Sequence, residues 1–292
     1  MRLSTVRLTA DQRPARGGTG QVRGETAAAR HEAGELVVLP YPDVGSLLAS
    51  GDDWRQRAAD GDGSRVKVER ASLATLIPHP NKIVCLGLNY ATHIAEMGRP
   101  TPKYPTLFAK FDGALIGSHD PIQMPRVSDQ LDWEAELGVV IGRAGRDLSS
   151  TDALRHVAGY TVVNDVTVRD WQHRTREFLS GKTFESTTPV GPDLVTTDEL
   201  PDGASGLDIG CSVDGDVMQR STTADLLFTV ADTVAYISTI ITLLPGDLIS
   251  MGTPGGVGAG RDPQVFLKPD QELLTWVEGV GELRNTVVRD GL

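Results

Sequence analysis

Short β-rich runs that alternate with turn signals constrain the fold of this chain more than any other feature. They begin at Lys82, and many of the chain's 32 glycines and 17 prolines fall between them. The runs are KIVCLGLNY, TLFAKF, ELGVVIG, GYTVVND, DIGCSVDG, DLISMGTP and ELLTWVEGVGEL. Apolar runs of this length, bounded by Gly, Pro, Asn and Asp, are typical of strands.

Few segments of the same region have helical features. They are NYATHIAEMG, SSTDALRHVAGY, VRDWQHRTREFLSG and TADLLFTVADTVAYISTIITL. The last has apolar residues at helical spacing and ends before a Pro-Gly-Asp turn. Many strands with few helices predict an α+β fold with a large, mostly antiparallel or mixed sheet system.

The first 75 residues differ from the rest and predict a small, variable N-terminal unit. The polar, Gly-rich stretch DQRPARGGTGQVRGETAAARHEAGE precedes a strand, ELVVLP, and a helical segment near DVGSLLASGDDWRQRAADG. The prediction is therefore an α/β unit over residues 1–75 and a main domain over residues 76–292. Pro-punctuated sequence connects the two.

Composition and charge exclude some classes of function. Of the 292 residues 39% are hydrophobic, the net charge is −11 and the pI is about 5.0. Nucleic acid is a poor partner for such a chain, because phosphate binding needs a basic footprint. The apolar runs are too short to span a bilayer and no signal-peptide stretch is apparent, so we expect a cytoplasmic protein. Cys85 and Cys211 are expected to be buried free thiols.

Acidic and apolar residues alternate in SDQLDWEAELGVVIG, which begins at Ser128. Because side chains alternate between the faces of a strand, Asp132, Glu134 and Glu136 share one face. A solvated acidic face is the simpler interpretation of this run alone. Like charges on one face repel each other, however, and a divalent cation such as Mg²⁺ would remove that repulsion.

A second acidic position follows in GYTVVNDVTVRDWQHR. Asn164 and Asp165 end an apolar run and are residue types that start helices. A helix beginning there would place Asp165, Arg169 and Gln172 on one face. Asp165 would then be a further carboxylate for the cation, whereas Arg169 alone is as readily a surface ion pair.

Three further polar groups are candidates for chemistry. His93 and Glu96 lie at i and i+3 in a short helical segment, which suits general-base catalysis, although such a pair is more often a surface contact. Lys182 lies in a Gly/Ser/Thr-rich loop, where a solvated lysine is the default. The turn after DLIS offers backbone amides and the Thr253 hydroxyl to an anion. It lacks the residues of a P-loop, so nucleotide binding is rejected.

Taken in order, these stretches resemble the fumarylacetoacetate hydrolase family from about Lys82 to Val288. They are KIVCLGLNYATHIAEMG, LDWEAELGVVIG, GYTVVNDVTVRDWQ, GKTFESTTPVGP, GDLISMGTPGGVG and FLKPDQELLTWVEGVGELRN. The resemblance implies a β-rich mixed-sheet roll that is usually dimeric. It also implies a Mg²⁺ or Mn²⁺ site of Glu134, Glu136 and Asp165, and a catalytic pair of His93 and Glu96 on a lid. Lys182 is implied as a catalytic and substrate-binding residue, and the other implied substrate-binding residues are Arg169, Gln172, Gly252 and Thr253. Asp132 has no family role and is expected to be solvated or to support a ligand.

The resemblance implies chemistry on a small anionic 2-oxo acid. We expect hydrolysis of a C–C bond in an acylpyruvate or fumarylpyruvate, as in aromatic catabolism, with the metal stabilising the pyruvate enolate. The same chemistry supports decarboxylation of oxaloacetate, or isomerisation of an unsaturated 2-oxo diacid of the 2-hydroxyhepta-2,4-diene-1,7-dioate type. A non-catalytic metal-binding module would need none of His93, Glu96, Arg169 and Lys182.

Overall fold

The computed structural model describes residues 1–8, 25–67, 73–96 and 100–289, without the side chains of His93, Ala95 and Glu96. Two of the predicted catalytic side chains, those of His93 and Glu96, therefore lie outside the description. No helix in the described ranges is long and apolar enough to cross a membrane.

Strands dominate the described part of the chain. They are β1 Arg2–Arg7, β2 Thr26–Glu32, β3 Glu35–Val38, β4 Arg65–Lys67, β5 Ile83–Gly87, β6 Thr106–Ala109, β7 Leu115–Ile116, β8 Ile122–Met124, β9 Leu131–Asp132, β10 Ala135–Ile141, β11 Val157–Asn164, β12 Thr167–Val168, β13 Thr188–Thr196, β14 Asp208–Val213, β15 Asp216–Thr222, β16 Leu248–Ser250, β17 Glu272–Val277 and β18 Gly281–Arg289.

The helices are short. They are α1 Val44–Leu48, α2 Trp54–Asp60, α3 Ala91–Glu96, α4 Ser150–Ala153, α5 Arg169–Gln172, α6 Leu179–Lys182 and α7 Val230–Ile240. Single 3₁₀ turns add Asp112–Ala114, Leu154–His156, Thr197–Glu199, Asp202–Ala204, Thr223–Asp225 and Gly258–Gly260. The α+β prediction with mixed sheets is confirmed.

One large sheet runs through both predicted parts of the chain. Its order is β4-β3-β2-β1-β13-β11-β10-β16-β5-β6, with β7 added beside β13. A five-stranded sheet has the order β15-β14-β17-β18-β8, and β9 pairs with β12. Most pairs are antiparallel, whereas β16–β5, β13–β7 and β18–β8 are parallel.

Strand β10 is buried on both faces and lies inside the large sheet, between β11 and β16. Leu137, Val139 and Ile141 pack into the main core between the large sheet, the five-stranded sheet and α7. Val140 belongs to a second core, which also contains residues of β1, α1 and α2. Cys85 and Cys211 are buried free thiols in these cores, as predicted.

The predicted helix start at Asn164–Asp165 is wrong. Asn164 ends β11, Asp165 lies in the short link between β11 and β12, and β12 is followed by the one-turn helix α5. The chain stays extended because β12 pairs with β9, and Thr167 lies opposite Asp132. Long-range pairing thus overrides the local preference of Asn and Asp for helix starts.

Candidate metal centre

The register of β10 against β11 brings the three predicted metal ligands together. Ala135 lies opposite Asn164, and the Asp165 N–H donates to the Glu134 carbonyl oxygen at 2.9 Å. Carboxylate oxygens of Glu134, Glu136 and Asp165 lie within 4.8 Å of one another, and all three side chains are buried. Trp133 and Ala135 point into the main core, as the alternation predicts.

Two lysines neutralise Asp165. Lys110 Nζ lies 2.6 Å from Asp165 Oδ1, and Lys182 Nζ lies 2.7 Å from Asp165 Oδ2. Burial alone would raise the pKa of Asp165, but Lys110 and Lys182 outweigh it and lower the pKa. Lys182 also donates to Glu134 Oε2 at 2.8 Å. It ends helix α6 and is 2% exposed, so it is not the solvated lysine that is the default for such a sequence.

Arg169 links two acids at the other side of the cluster. Its Nε donates to Asp132 Oδ2 and its Nη1 pairs with Glu134 Oε1, each at 2.7 Å. Gln172 Oε1 accepts from Arg169 Nη1 at 2.9 Å. Arg169 is therefore part of a buried network, and Asp132 is buried rather than solvated. Burial would lower the pKa of Arg169, but Glu134 and Asp132 outweigh it and raise the pKa.

Glu136 is the one of the three predicted metal ligands without a cationic partner among the described residues. Its Oε2 accepts from the Ser250 hydroxyl at 2.5 Å and from the Gly252 N–H at 2.9 Å. Its Oε1 is buried and has no hydrogen-bond partner within the described ranges. Burial, and then the charges of Asp165 and Glu134, raise the pKa of Glu136 well above its ordinary value.

The Gly-rich turn after β16 lies against the acidic cluster, because the Gly252 N–H donates to Glu136. Gly252 has φ +87°, and the Thr253 hydroxyl donates to the Ala135 carbonyl oxygen at 3.0 Å. Both residues therefore contact strand β10, Gly252 through Glu136 and Thr253 through Ala135. Their role toward a substrate stays a prediction. Asn89, just before α3, donates to the Met251 carbonyl oxygen at 2.8 Å, which places the start of α3 beside this turn.

The sequence analysis predicted most residues of this cluster but missed Lys110, Ser250 and Gln219. The only signal for Lys110 is a lysine between Ala109 and Phe111 in an apolar run. Ser250 and Gln219 are ordinary polar residues of strands, and their partners are distant in the chain.

A strand-rich mixed-sheet fold around a buried carboxylate trio is compatible with a class of enzyme that holds a divalent metal ion, and comparison identifies the family. The sequence-family model described as fumarylacetoacetate (FAA) hydrolase C-terminal matches residues 82–288. The chain therefore belongs to the fumarylacetoacetate hydrolase family.

Relatives within the family differ in their named reactions. The chain is 43% identical over 239 residues to the mitochondrial oxaloacetate tautomerase FAHD2A of Bos taurus, covering 76% of each chain. Among solved structures it resembles a fumarylacetoacetate hydrolase from Exiguobacterium antarcticum, with a TM-score of 0.83, 30% identity, and 99% and 100% of the two chains covered. It also resembles a 5-carboxymethyl-2-hydroxymuconate delta-isomerase from Mycobacterium smegmatis, with a TM-score of 0.77, 30% identity and full coverage of both chains.

Proposed function

We propose that this protein is a divalent-metal-dependent enzyme that acts on a small 2-oxo acid through its enolate. The observation that carries the proposal is the buried trio of Glu134, Glu136 and Asp165 with cationic side chains around it. We further propose enol–keto tautomerisation of an oxaloacetate-type diacid as the reaction. The 43% identity to an oxaloacetate tautomerase supports that choice over the hydrolysis that the sequence alone ranked first.

The residues present fit a hard divalent cation. Mg²⁺ and Mn²⁺ prefer carboxylate oxygens, and Glu134, Glu136 and Asp165 would hold the ion. The buried Glu136 Oε1 has no partner in the described structure, as expected of an atom reserved for a ligand. The choice between Mg²⁺ and Mn²⁺ stays open.

Charge balance in the cluster explains why an anion would bind. Within this cluster the buried acids are Asp132, Glu134, Glu136 and Asp165, and the buried cations are Lys110, Arg169 and Lys182. With a proton on Glu136 the charges cancel, which suits the raised pKa of that group. A divalent cation that replaces this proton leaves one positive charge in excess, and an anionic substrate would neutralise it.

The chain's own residues would bind and polarise the substrate. A divalent cation supplies Lewis-acid stabilisation of charge on the substrate oxygens. Arg169 Nη2 is buried without a hydrogen-bond partner among the described residues, so it has a donor left for a substrate carboxylate. Lys182 keeps its proton, because Asp165 and Glu134 outweigh the effect of burial and raise its pKa. Its ammonium group therefore stabilises negative charge on oxygen.

Tautomerisation needs one further group, an acid–base residue. The reaction moves a proton between the enol oxygen and the neighbouring carbon, and it breaks no carbon–carbon bond and uses no water. We assign this proton transfer to His93, assisted by Glu96, because α3 begins beside the Gly252 turn. Imidazole exchanges protons near neutral pH, which suits this role.

The test follows enol oxaloacetate by its ultraviolet absorbance with Mg²⁺, with Mn²⁺ and with EDTA. We expect metal-dependent loss of the enol above the uncatalysed rate, without release of pyruvate. Glu136→Gln should lose at least about a hundredfold in rate together with metal binding, since it removes a ligand. The exposed Glu282 provides the control, and Glu282→Gln should behave as wild type. Metal-dependent release of pyruvate would instead identify a decarboxylase.

Hydrolysis of an acylpyruvate is the second candidate. It is supported by the TM-score of 0.83 to a fumarylacetoacetate hydrolase and by the position of His93 on α3. Acetylpyruvate would then yield pyruvate and acetate only with metal present. His93→Ala should keep metal binding and lose this activity. If it hydrolyses at the wild-type rate, the base lies elsewhere.

The quaternary structure and the role of the metal are parts of the same proposal. We propose a homodimer, and sedimentation equilibrium that finds only a monomer would contradict it. We also propose that the metal serves catalysis rather than folding. EDTA should then abolish turnover and leave the circular dichroism spectrum largely unchanged, whereas loss of both would favour a structural metal.

A further inference from the structure

A buried glutamine of the five-stranded sheet reaches into the candidate site. Gln219 lies on β15 and is 1% exposed, although most of its neighbours on this strand are exposed. Its Oε1 accepts from the Ala135 N–H at 2.9 Å and from Cys211 Sγ at 3.3 Å. Its Nε2 donates to Thr253 Oγ1 and to the Pro254 carbonyl oxygen, each at 2.9 Å. All of its amide atoms are thus in use.

The chemistry of the partners fixes the orientation of this amide. A backbone N–H can only donate and a carbonyl oxygen can only accept. Ala135 therefore requires the oxygen of Gln219 on its side, and Pro254 requires the nitrogen on the other. A flipped amide would lose both bonds, so the side chain has one orientation.

The hydrogen bonds form a closed ring. Ala135 donates to Gln219, Gln219 donates to Thr253, and the Thr253 hydroxyl donates back to the carbonyl oxygen of Ala135. Ala135 stands between Glu134 and Glu136 in the chain. The ring therefore joins the backbone between two proposed metal ligands to the turn that precedes Pro254.

The backbone next to Gln219 also holds this turn. Gly256 has φ +97°, and a β-carbon there would lie 2.4 Å from the Met218 carbonyl oxygen. The turn therefore packs directly on the backbone of β15. Close packing at Gly256 and the amide of Gln219 fix the turn at two successive points.

We infer that Gln219 is a positioning residue that sets the distance between the metal ligands and the Thr253 turn. The inference rests on the proposed function, because that turn matters only if a 2-oxo acid binds between it and the metal. None of the hydrogen-bond partners of Gln219 is a carboxylate oxygen of the trio. It acts through Thr253 and the backbone of Ala135.

The experiment uses Gln219→Met, which keeps the length of the side chain and removes all of these bonds. The probes are Mn²⁺ alone and oxalate, a planar mimic of the pyruvate enolate, both measured by calorimetry on the full chain. We expect Mn²⁺ affinity to change by less than about tenfold, because the three ligands remain. Oxalate affinity and kcat/KM for the 2-oxo acid should fall by up to about a hundredfold, because a displaced turn misplaces the ligand.

A double-mutant cycle distinguishes positioning from a general structural role. If Gln219 acts through Thr253, the Q219M/T253V double variant should lose no more oxalate affinity than the weaker-binding single variant. Additive losses would overturn the inference. Gln271→Met is the control, because Gln271 also uses both ends of its amide, to Asp214 and Lys268, at a turn outside the ring.

Two outcomes separate this inference from the proposed function. If the wild type binds no oxalate in the presence of Mn²⁺, the proposed function fails and the inference fails with it. If the wild type binds oxalate and Q219M binds it equally well, only the positioning role fails. Should Q219M not fold, Q219E carries the same cycle, because it keeps an acceptor for the Ala135 N–H and lacks the amide donor.

Discussion

At the scale of single residues, the main feature of the site is that most of its buried charges are neutralised by ion pairs. A buried carboxylate keeps its charge only when it is paired, and Asp165 is paired on both oxygens. Lys82 and Asp247 form a second such pair elsewhere, at 2.8 Å, with Asp247 fully buried. Asp247 has this one lysine partner among the described residues and lies outside the acidic trio, whereas Asp165 has two lysine partners and belongs to the trio.

That difference gives a prediction for Lys110→Met. Leaving Asp165 without one partner should destabilise the metal-free protein by roughly 3–5 kcal/mol. A divalent cation supplies the missing charge, so added Mg²⁺ should raise the unfolding temperature of this variant more than that of wild type. The measurement is thermal unfolding with and without Mg²⁺. Lys82→Met is the control. It should also be destabilised, but added Mg²⁺ should raise its unfolding temperature no more than that of wild type. Equal metal effects in all three proteins would contradict the role of Lys110.

The raised pKa of Glu136 gives a second prediction. Burial keeps a proton on this carboxyl at a pH where an exposed glutamate has lost it. A metal ligand must be deprotonated, so metal binding should release up to about one proton per site. The affinity for Mg²⁺ should therefore rise as the pH rises toward the pKa of Glu136 in the metal-free protein. Calorimetry in two buffers with different ionisation enthalpies measures the released proton. Equal heats after buffer correction, with affinity independent of pH, would refute it.

The sequence carries part of the residue-scale answer. Alternation at the start of β10 places Glu136 on the same face as Glu134, which directly precedes the strand, because that rule depends only on strand geometry. The pairing of Lys110 with Asp165 spans 55 positions of sequence, and no local pattern encodes it. The same holds for Gln219, whose partners lie on β10 and after β16.

At the scale of elements, local propensity failed where pairing between distant strands decides. Ala27, Ala28 and Ala29 are good helix formers, yet they lie fully buried in β2, between β1 and β3. The predicted helix at Asn164 failed for the same reason. The long helix α7 was predicted correctly in type, because its apolar residues repeat at helical spacing over three turns.

One turn shows how an element supports the site. The 3₁₀ turn Gly258–Gly260 donates two backbone N–H groups to Asp132, from Gly258 at 2.7 Å and from Ala259 at 2.9 Å. Asp132 in turn holds Arg169. A β-carbon at Gly258 would lie 1.8 Å from the Val265 carbonyl oxygen and 2.8 Å from Asp132 Oδ1, so the turn must shift.

Gly258→Ala should therefore lower both stability and activity. We expect a loss of about 1–3 kcal/mol in the free energy of unfolding from overpacking. We also expect kcat/KM to fall by up to about a hundredfold as Arg169 is displaced. Gly260→Ala, two residues along the same turn, meets only an ordinary contact at 3.5 Å and should resemble wild type. Denaturant unfolding and steady-state kinetics on both variants provide the check. Similar behaviour of the two would show that the turn does not support Arg169.

At the scale of the whole molecule, the N-terminal unit is continuous with the catalytic sheet. Strand β1 pairs with β13, where Leu3 lies opposite Leu194. One core contains Leu3, Leu47 and Trp54 together with Val140 and Val163 of the central strands. A smaller core, which includes Val6 and Leu36, lies within the N-terminal strands and Leu73. The boundary drawn at residue 75 from composition thus marks a change in sequence character and crosses a shared sheet.

Shared packing predicts that a destabilising substitution in the N-terminal unit also loosens strands β11 and β13. Leu3→Ala and Leu36→Ala should each cost about 2–5 kcal/mol, because both side chains are fully buried. They should differ in where protection against hydrogen exchange is lost. Leu3→Ala opens the shared core and should expose amides of β13 and β11, whereas Leu36→Ala should expose amides of β1 to β4 only. Exchange followed by mass spectrometry distinguishes these patterns. Loss confined to β1–β4 in both variants would mean that the N-terminal unit unfolds on its own and leaves the metal centre intact.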